Sequence, residues 1–237
     1  MIAMAQPENG APSTGHRSRR SKVKVFLVDD HPLVREGLAQ LIQLEKLTAV
    51  CGEAEDVPEA VLGIEKTHPD IVITDISLKK THGMDLIRIL QAQHPSLPVL
   101  VLSMHDESLY AERVLRAGAR GYVTKQEATR MISQAIKTVL AGHIYVSEKV
   151  SSRLVGTLLR RPGREQKSAV ERLTLREQEV FRFIGRGLGT RHIAEELGVG
   201  IKTVETYRAR IKEKLKLEDG TQLLKHAVEW VHALHNE

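Results

Sequence analysis

Short runs of β-branched residues alternate with longer amphipathic segments between Lys24 and Ala141, and this alternation strongly restricts the possible folds. The short runs lack alternating polar residues, which is typical of strands that are covered on both faces. In the longer segments, apolar residues recur three and four positions apart, as they do on one face of a helix. Five such strands, each followed by a helix, predict a doubly wound parallel sheet. The predicted strands span residues 24–28, 48–52, 70–74, 98–103 and 121–124.

The remainder of the chain has a different pattern. After about residue 145 comes a helix-like stretch and then RRPGREQKSA, whose Pro, Gly and charged residues indicate a linker. No strand pattern follows Leu173, and four helices are predicted there. The first 21 residues are polar and contain arginines, without the apolar segment of a secretory signal. We therefore predict a disordered basic tail, an α/β domain, a linker that includes a helix, and a small all-α domain over residues 1–21, 22–145, 146–169 and 170–235.

The composition limits the classes of function. A hydrophobic content of 41% and a charged content of 27% are those of a globular protein in water. No apolar run approaches the ~18 residues that a membrane helix needs, so no membrane partner is expected. Cys51 is the only cysteine, which excludes an internal disulfide and favours a reducing, cytoplasmic compartment. Basic residues outnumber acidic ones after residue 145, which favours a polyanionic partner for the all-α domain.

Polar side chains follow four of the predicted strands, where an open parallel sheet binds its ligands. A carboxylate at the end of a buried strand, such as Asp75, is costly unless a cation compensates its charge. Lys125 is one such cation, and Mg2+ prefers carboxylate and carbonyl oxygens. The sequence therefore predicts a shared Mg2+ site at this edge of the sheet. The strand-end residues are Asp29, Asp30, Asp75, Ser103 and Lys125.

Each of these residues also has a simpler explanation. Asp30 could cap the helix that begins near Pro32, and Asp29 could be solvated. Ser103 could cap the next helix, and Lys125 could extend into solvent from a strand end. Their joint placement at four strand ends favours a shared site over four separate explanations.

The stretches FLVDDHPLVREGL, DIVITDISL, HGMDLI, VLVLSMHDE and GARGYVTK resemble the receiver domain of bacterial response regulators of the NarL/FixJ type. The resemblance implies a flavodoxin-like (βα)5 fold. It also implies that Asp75 accepts a phosphoryl group from a sensor histidine kinase. Asp30, Asp75 and the backbone carbonyl of Ser77 would bind Mg2+ directly, and Asp29 would act through water. Ser103 and Lys125 would bind the phosphoryl oxygens.

The same resemblance implies which residues would move on phosphorylation, and it shows one position where this sequence differs from the family. Ser103 would move toward the phosphoryl group, and Tyr122 would rotate into the space behind it; the alternative for Tyr122 is a half-buried strand residue. Ser77 and His105 would flank the path of a hydrolytic water and so tune the lifetime of the phosphoryl group. Lys79 stands where the family usually has Pro, which changes the stiffness and charge of that loop. Gly83 fits the family pattern.

A helix-turn-helix pattern occurs in RHIAEELGVGIKTVETY, at about Leu188 to Tyr207. Ala194 supplies a small residue where two helices cross, Gly198 the turn, and Val204 an apolar anchor on the second helix. With LTLREQEVFRFI upstream, the segment resembles the LuxR-type DNA-binding domain.

One face of the second helix is predicted to meet DNA, because Val204 and Ile211 occupy the opposite, apolar face. The resemblance points to Glu205, Thr206 and Ala209 as residues that face base edges in the major groove. The residues predicted to contact phosphates are Lys202, Thr203, Arg210 and Lys212.

These features predict a bacterial, two-component transcriptional regulator. Phosphorylation of Asp75 would control homodimerisation and promoter binding, and RNA polymerase is a further candidate partner. The protein would assist its own phosphotransfer but act as an enzyme on no external substrate. One alternative is a phosphorylation-independent transcription factor whose α/β domain is a protein-binding scaffold. The other is a phosphatase with an aspartate nucleophile, although Ser77 stands where such enzymes have a second acid.

Overall fold

The computed structural model describes residues 22–45, 47–78, 81–105, 107–159 and 169–235. Within these residues, one parallel sheet of five strands has the order β2-β1-β3-β4-β5. The predicted α/β fold is confirmed, and the strand ends agree with the prediction to within two residues. The strands are β1 (Val23–Val28), β2 (Thr48–Ala54), β3 (Ile71–Thr74), β4 (Val99–Ser103) and β5 (Gly121–Thr124).

Helices cover both faces of the sheet. One apolar cluster packs α2, α3 and α4 against residues such as Phe26, and a second packs α1 and α5 against residues such as Leu27. All four residues of β3 are buried. Polar side chains can therefore be accommodated only where the strands end. The helices are α1 (Pro32–Leu44), α2 (Val57–Thr67), α3 (Gly83–Gln93), α4 (Glu107–Arg116) and α5 (Ala128–Leu140).

The strand order reverses at β1, which lies between β2 and β3. Such a switch point opens a crevice at the carboxyl ends of the two central strands. Val28 pairs with Thr74 at that end of the sheet. Asp29 and Asp75, the next residue after each strand, therefore lie side by side. The topology thereby brings together two acidic residues that are far apart in sequence.

Helix α6 (Glu148–Leu159) forms the first half of the predicted linker and packs on the α/β domain. Val150 joins the apolar cluster on the α2–α4 side, and the Ser147 hydroxyl donates a hydrogen bond of 2.7 Å to Glu107. The predicted tail, the rest of the linker (160–168) and Lys79 lie outside the described residues.

The C-terminal region forms a separate helical unit with its own apolar core, as expected. The core includes Phe181, Val204 and Ala227, all fully buried. An added Cβ at Gly185 would lie 2.4 Å from the Ala227 carbonyl oxygen, because α7 and α10 cross closely there. After a 3-10 turn (Ala169–Arg172), the helices are α7 (Leu175–Gly185), α8 (Thr190–Glu196), α9 (Ile201–Leu215) and α10 (Gly220–His235). We call residues 22–145 the sheet domain and residues 170–235 the helical domain.

Helices α8 and α9 form the expected helix-turn-helix. Ala194 is buried at the helix crossing, and Val204 anchors α9 in the core. Gly198 in the turn has a φ of +61°, a conformation that glycine adopts at little cost. None of the helices in the described parts of the chain is long and apolar enough to cross a membrane.

Candidate functional site

A lysine joins two carboxylates at the carboxyl edge of the sheet. The Nζ atom of Lys125 lies 2.5 Å from Asp29 Oδ2 and 2.7 Å from Asp75 Oδ2. The three side chains are at most 9% exposed. Asp29 is therefore not a solvated carboxylate, and Lys125 does not extend into solvent.

Burial and charge act against each other at this cluster. Burial raises the pKa of Asp75, whereas Lys125 and the Ser103 hydroxyl offset part of that shift. Burial works to lower the pKa of Lys125, but the charges of Asp75 and Asp29 outweigh it and raise that pKa. The lysine thus remains protonated among the carboxylates. A further cation at the site would favour the ionised form of Asp75.

The loop after β3 fixes the orientation of Asp75. Its Oδ1 atom accepts hydrogen bonds from the backbone amides of Ile76 (2.6 Å) and Ser77 (3.3 Å). An added Cβ at Gly83, the first residue of α3, would lie 2.0 Å from the Asp75 carbonyl oxygen. Only glycine therefore allows α3 to begin against the Asp75 backbone.

Asp30 provides an unsatisfied acceptor beside this cluster. His31, not Asp30, is the N-cap residue of α1, so the capping explanation of Asp30 is wrong. The buried Oδ1 atom of Asp30 has no hydrogen-bond partner; His31 Nδ1 lies 2.8 Å away but outside hydrogen-bonding geometry. Ligand atoms of Asp29, Asp30 and His31 lie within 4.8 Å of one another. An orphaned carboxylate oxygen beside a second acid suits a hard divalent cation such as Mg2+.

The loop after β4 brings Ser103, His105 and Tyr122 together. The Ser103 hydroxyl is fully buried and accepts a hydrogen bond from the His105 backbone amide (3.3 Å). Tyr122 is 1% exposed, and its hydroxyl donates to the His105 carbonyl oxygen (2.9 Å). Tyr122 is thus a buried residue that contacts this loop, and not the half-buried strand residue of the alternative explanation.

The predicted DNA-contact residues lie on the solvent side of α9. Val204 and Ile211 are fully buried on the opposite side, as the helical wheel predicts. Ile201, the first residue of α9, is 44% exposed. Lys212 is half-buried, and the exposed residues on this face are Lys202, Thr203, Glu205, Thr206, Ala209 and Arg210.

Similarity to known proteins identifies the family. Residues 25–137 match the response regulator receiver domain, and residues 171–227 match the bacterial regulatory proteins of the luxR family. The transcriptional regulatory protein DegU of Brevibacillus brevis is 31% identical over 226 residues, which cover 89% of this chain and 96% of DegU. The chain belongs to the response regulators. Its LuxR-type helix-turn-helix makes it a DNA-binding transcriptional regulator of a two-component system, as expected from the NarL/FixJ resemblance.

Solved structures of RcsB agree with this family. RcsB of Salmonella typhimurium has a TM-score of 0.59 and 27% identity, covering 88% of this response regulator and 98% of RcsB. A structure of two RcsB dimers bound to two parallel DNAs has a TM-score of 0.53 and 28% identity, covering 86% and 97% of the two chains.

Helix α7 of this response regulator contacts the sheet domain beside Asp75, which sequence reasoning missed. The Glu179 carboxylate accepts a hydrogen bond of 2.8 Å from the Ser77 hydroxyl and lies 2.9 Å from His105 Nε2. Arg182 donates to the other ring nitrogen of His105 (2.9 Å). Burial opposes ionisation of Glu179, but His105 and Arg176 outweigh burial and lower the pKa of Glu179 to about 2. The only sequence signal was an acidic residue within the buried face of α7.

Proposed function

We propose that Asp75 is the phosphoacceptor of this response regulator. The observation that carries the proposal is the placement of a buried carboxylate within 2.7 Å of Lys125, beside the orphaned oxygen of Asp30. This is a carboxylate surrounded by the charges that a transferred phosphoryl group needs.

The residues of the site have complementary roles in this proposal. A carboxylate oxygen of Asp75 attacks the phosphorus of a phosphohistidine on a sensor kinase, and the nitrogen–phosphorus bond breaks as the oxygen–phosphorus bond forms. Lys125 and Ser103 bind the phosphoryl oxygens. Asp30, Asp75 and the carbonyl of Ser77 would hold Mg2+, with Asp29 acting through water. Mg2+ held by these residues would neutralise charge on the phosphoryl oxygens in the transition state.

We further propose that phosphorylation favours a homodimer that binds promoter DNA through α9. Glu205, Thr206 and Ala209 would face base edges. The structure of RcsB dimers bound to DNA supports a dimer as the DNA-bound form. Two linked half-site contacts make occupancy depend steeply on dimerisation. The phosphate contacts would come from Lys202, Thr203, Arg210 and Lys212. The protein would act in the bacterial cytoplasm, where promoter DNA and RNA polymerase are found.

The test of this function is phosphorylation by acetyl phosphate with Mg2+. We expect stoichiometric labelling of the wild-type protein and none of Asp75→Asn, because the amide is not a nucleophile for phosphoryl transfer. Chelation of Mg2+ should also abolish labelling. Asp56→Asn is the matched control and should be labelled like the wild type, because Asp56 caps α2 by accepting from the Glu59 amide and asparagine keeps that acceptor.

Three results would contradict the proposal. Equal labelling of the wild type and Asp75→Asn would remove Asp75 as acceptor. Promoter affinity that is unchanged by labelling would favour the scaffold alternative. Sustained release of phosphate from an added phosphomonoester would indicate the phosphatase instead.

A further inference from the structure

The helical domain places a charged helix at the mouth of the proposed phosphorylation site. Arg176 of α7 binds Glu179 Oε2 at 2.9 Å and donates to the carbonyl oxygens of Leu78 and Thr81, at 3.2 Å each. Leu175 packs into the apolar cluster of the sheet domain. The first two turns of α7 are therefore bound both by polar groups and by apolar contacts. We call this the α7 contact.

The donors in this contact can be assigned. Arginine only donates hydrogen bonds, so His105 Nδ1 must accept from Arg182, and the ring proton of neutral His105 lies on Nε2. That proton is directed at the Ser77 hydroxyl oxygen, 2.6 Å from Nε2, and Nε2 also lies 2.9 Å from Glu179. The Ser77 hydroxyl also donates to Glu179. A chain of hydrogen bonds thus runs from His105 through the Ser77 hydroxyl to one carboxylate of the helical domain.

Ser77 connects this carboxylate to Asp75. Its backbone amide donates to Asp75 Oδ1, and its hydroxyl donates to Glu179. A phosphoryl group on Asp75 would add about two negative charges and three acceptor oxygens next to Ser77. The phosphoryl group and the Glu179 carboxylate would compete for the same donors. They would also repel each other in a site of low dielectric constant. Asp75 is also only 5% exposed, so a phosphodonor has little access to its carboxylate.

We propose that Glu179 is a positioning residue of the phosphorylation site, which holds Ser77 and His105 when α7 is docked and releases them when Asp75 is phosphorylated. The inference rests on the proposed role of Asp75. Docking and phosphorylation then oppose each other, and linkage makes the effect reciprocal. Weakening the α7 contact must favour phosphorylation to the same extent that phosphorylation weakens the contact.

Two arginines in the α7 contact could oppose the release of α7 on phosphorylation. Arg176 and Arg182 are cations that could bind a phosphoryl group and so tighten the docking. Arg176 is already bound to Glu179 and to two backbone carbonyls, and Arg182 is bound to His105. Recruitment of either arginine would break these bonds, so release of α7 is the expected result.

The experiment measures phosphorylation by acetyl phosphate with Mg2+ in the full-length chain. Glu179→Gln removes the charge and keeps the size of the side chain, and we expect labelling about fivefold faster or more, within the usual range of such coupling. Arg176→Ala, which loses the bonds to Leu78 and Thr81, should change the rate in the same direction. The exposed Glu229→Gln on α10 is the charge-matched control and should keep the wild-type rate. Emission of Trp230, which packs on Phe181 of α7, verifies that each helical domain is folded.

A measurement of molecular size distinguishes the release of α7 from a change in the reactivity of Asp75. Small-angle X-ray scattering of the monomer, separated by size exclusion, should show that Mg2+ with beryllofluoride, a phosphomimetic used with RcsB, expands the wild-type chain. Monomeric Glu179→Gln should be expanded without it. Wild-type labelling rates in folded Glu179→Gln and Arg176→Ala would overturn the inference, as would compaction on adding beryllofluoride. If Asp75→Asn is unlabelled in the same series, the proposed function stands and only this inference fails. Label that persists in Asp75→Asn overturns both.

Discussion

In the sheet domain, Lys125 compensates the negative charge of two buried carboxylates. It is the amine that contacts both Asp29 and Asp75, and all three side chains are buried. Removing one partner from a buried ionic cluster leaves uncompensated charge, which destabilises a protein more than the intact cluster stabilises it. Lys125 should therefore contribute both to folding and to binding of the phosphoryl group.

The corresponding prediction concerns Lys125→Met, which keeps most of the side-chain volume. In Mg2+-free buffer, we expect the free energy of unfolding of the sheet domain to fall by about 3–5 kcal/mol. Added Mg2+ should restore part of this loss, because the metal ion would then supply the positive charge that the variant lacks among the carboxylates. Urea unfolding followed by far-UV circular dichroism, with and without Mg2+, measures both effects. Lys137→Met, which removes a surface pair with Glu45, should change little. An identical loss at both Mg2+ levels would contradict the explanation.

The sequence was informative about single residues where topology constrains them. Because parallel strands end at one edge, Asp29, Asp75 and Lys125 could be expected together from strand ends alone. Glu179 could not, because its bond to Ser77 joins residues 102 positions apart through the docking of two domains. No hydrophobic periodicity within either domain predicts that Ser77 and Glu179 are in contact. The orphaned oxygen of Asp30 was likewise not predictable, because it depends on His31, and not Asp30, being the N-cap residue of α1.

Among the helices, α7 combines a strong N-terminal cap with an ion pair to α9. Thr174 and Glu177 form a reciprocal capping box, and Glu177 also binds Lys214 of α9 at 2.6 Å. Burial opposes ionisation of Glu177, but the Lys214 and Thr174 hydrogen bonds outweigh it and lower the pKa of Glu177. The ionised carboxylate therefore fixes α7 against α9.

This lowered pKa predicts a pH dependence for the helical domain. A carboxyl group whose pKa is lower when folded stabilises the protein above its usual pKa, and that stabilisation is lost as pH falls through its folded pKa. Glu177→Gln keeps a side-chain acceptor for the cap but removes the charge. We expect the variant to lose about 1 kcal/mol at pH 7 and to approach the wild type as pH falls below about 4.5. Urea unfolding followed by Trp230 emission measures the difference, and a gap that widens in acid would contradict the assignment.

The elements themselves were largely predictable. Uninterrupted apolar runs and helical spacing gave five strands and the helices between them, and the turn glycine Gly198 located the helix-turn-helix. The docked position of α6 was not predictable. Its apolar residues, such as Val150, fit a helix in any setting, and only the folded sheet domain shows the surface that they cover.

For the whole molecule, docking and DNA binding use different helices. Helix α7 contacts the sheet domain, whereas the predicted DNA face of α9 is largely exposed in the same arrangement. Docking therefore does not control DNA binding by burying these side chains. It would act by fixing the orientation of the helical domain, which must be free to pair with a second copy on two half-sites.

This separation leads to a prediction that tests DNA contact independently of phosphorylation. Arg210→Ala removes one proposed phosphate contact, so affinity should fall by a similar factor for every DNA sequence. The slope of log affinity against log salt should become shallower by about 1. Glu205→Ala should instead relax the preference at one base pair, at about 1–3 kcal/mol of discrimination. Fluorescence anisotropy titrations at several salt concentrations measure both variants, with the exposed Lys225→Ala of α10 as the control for lost positive charge. All three proteins should be phosphorylated at the wild-type rate, because the three positions on α9 and α10 lie outside the α7 contact. A salt slope unchanged in Arg210→Ala would remove that residue from the DNA surface.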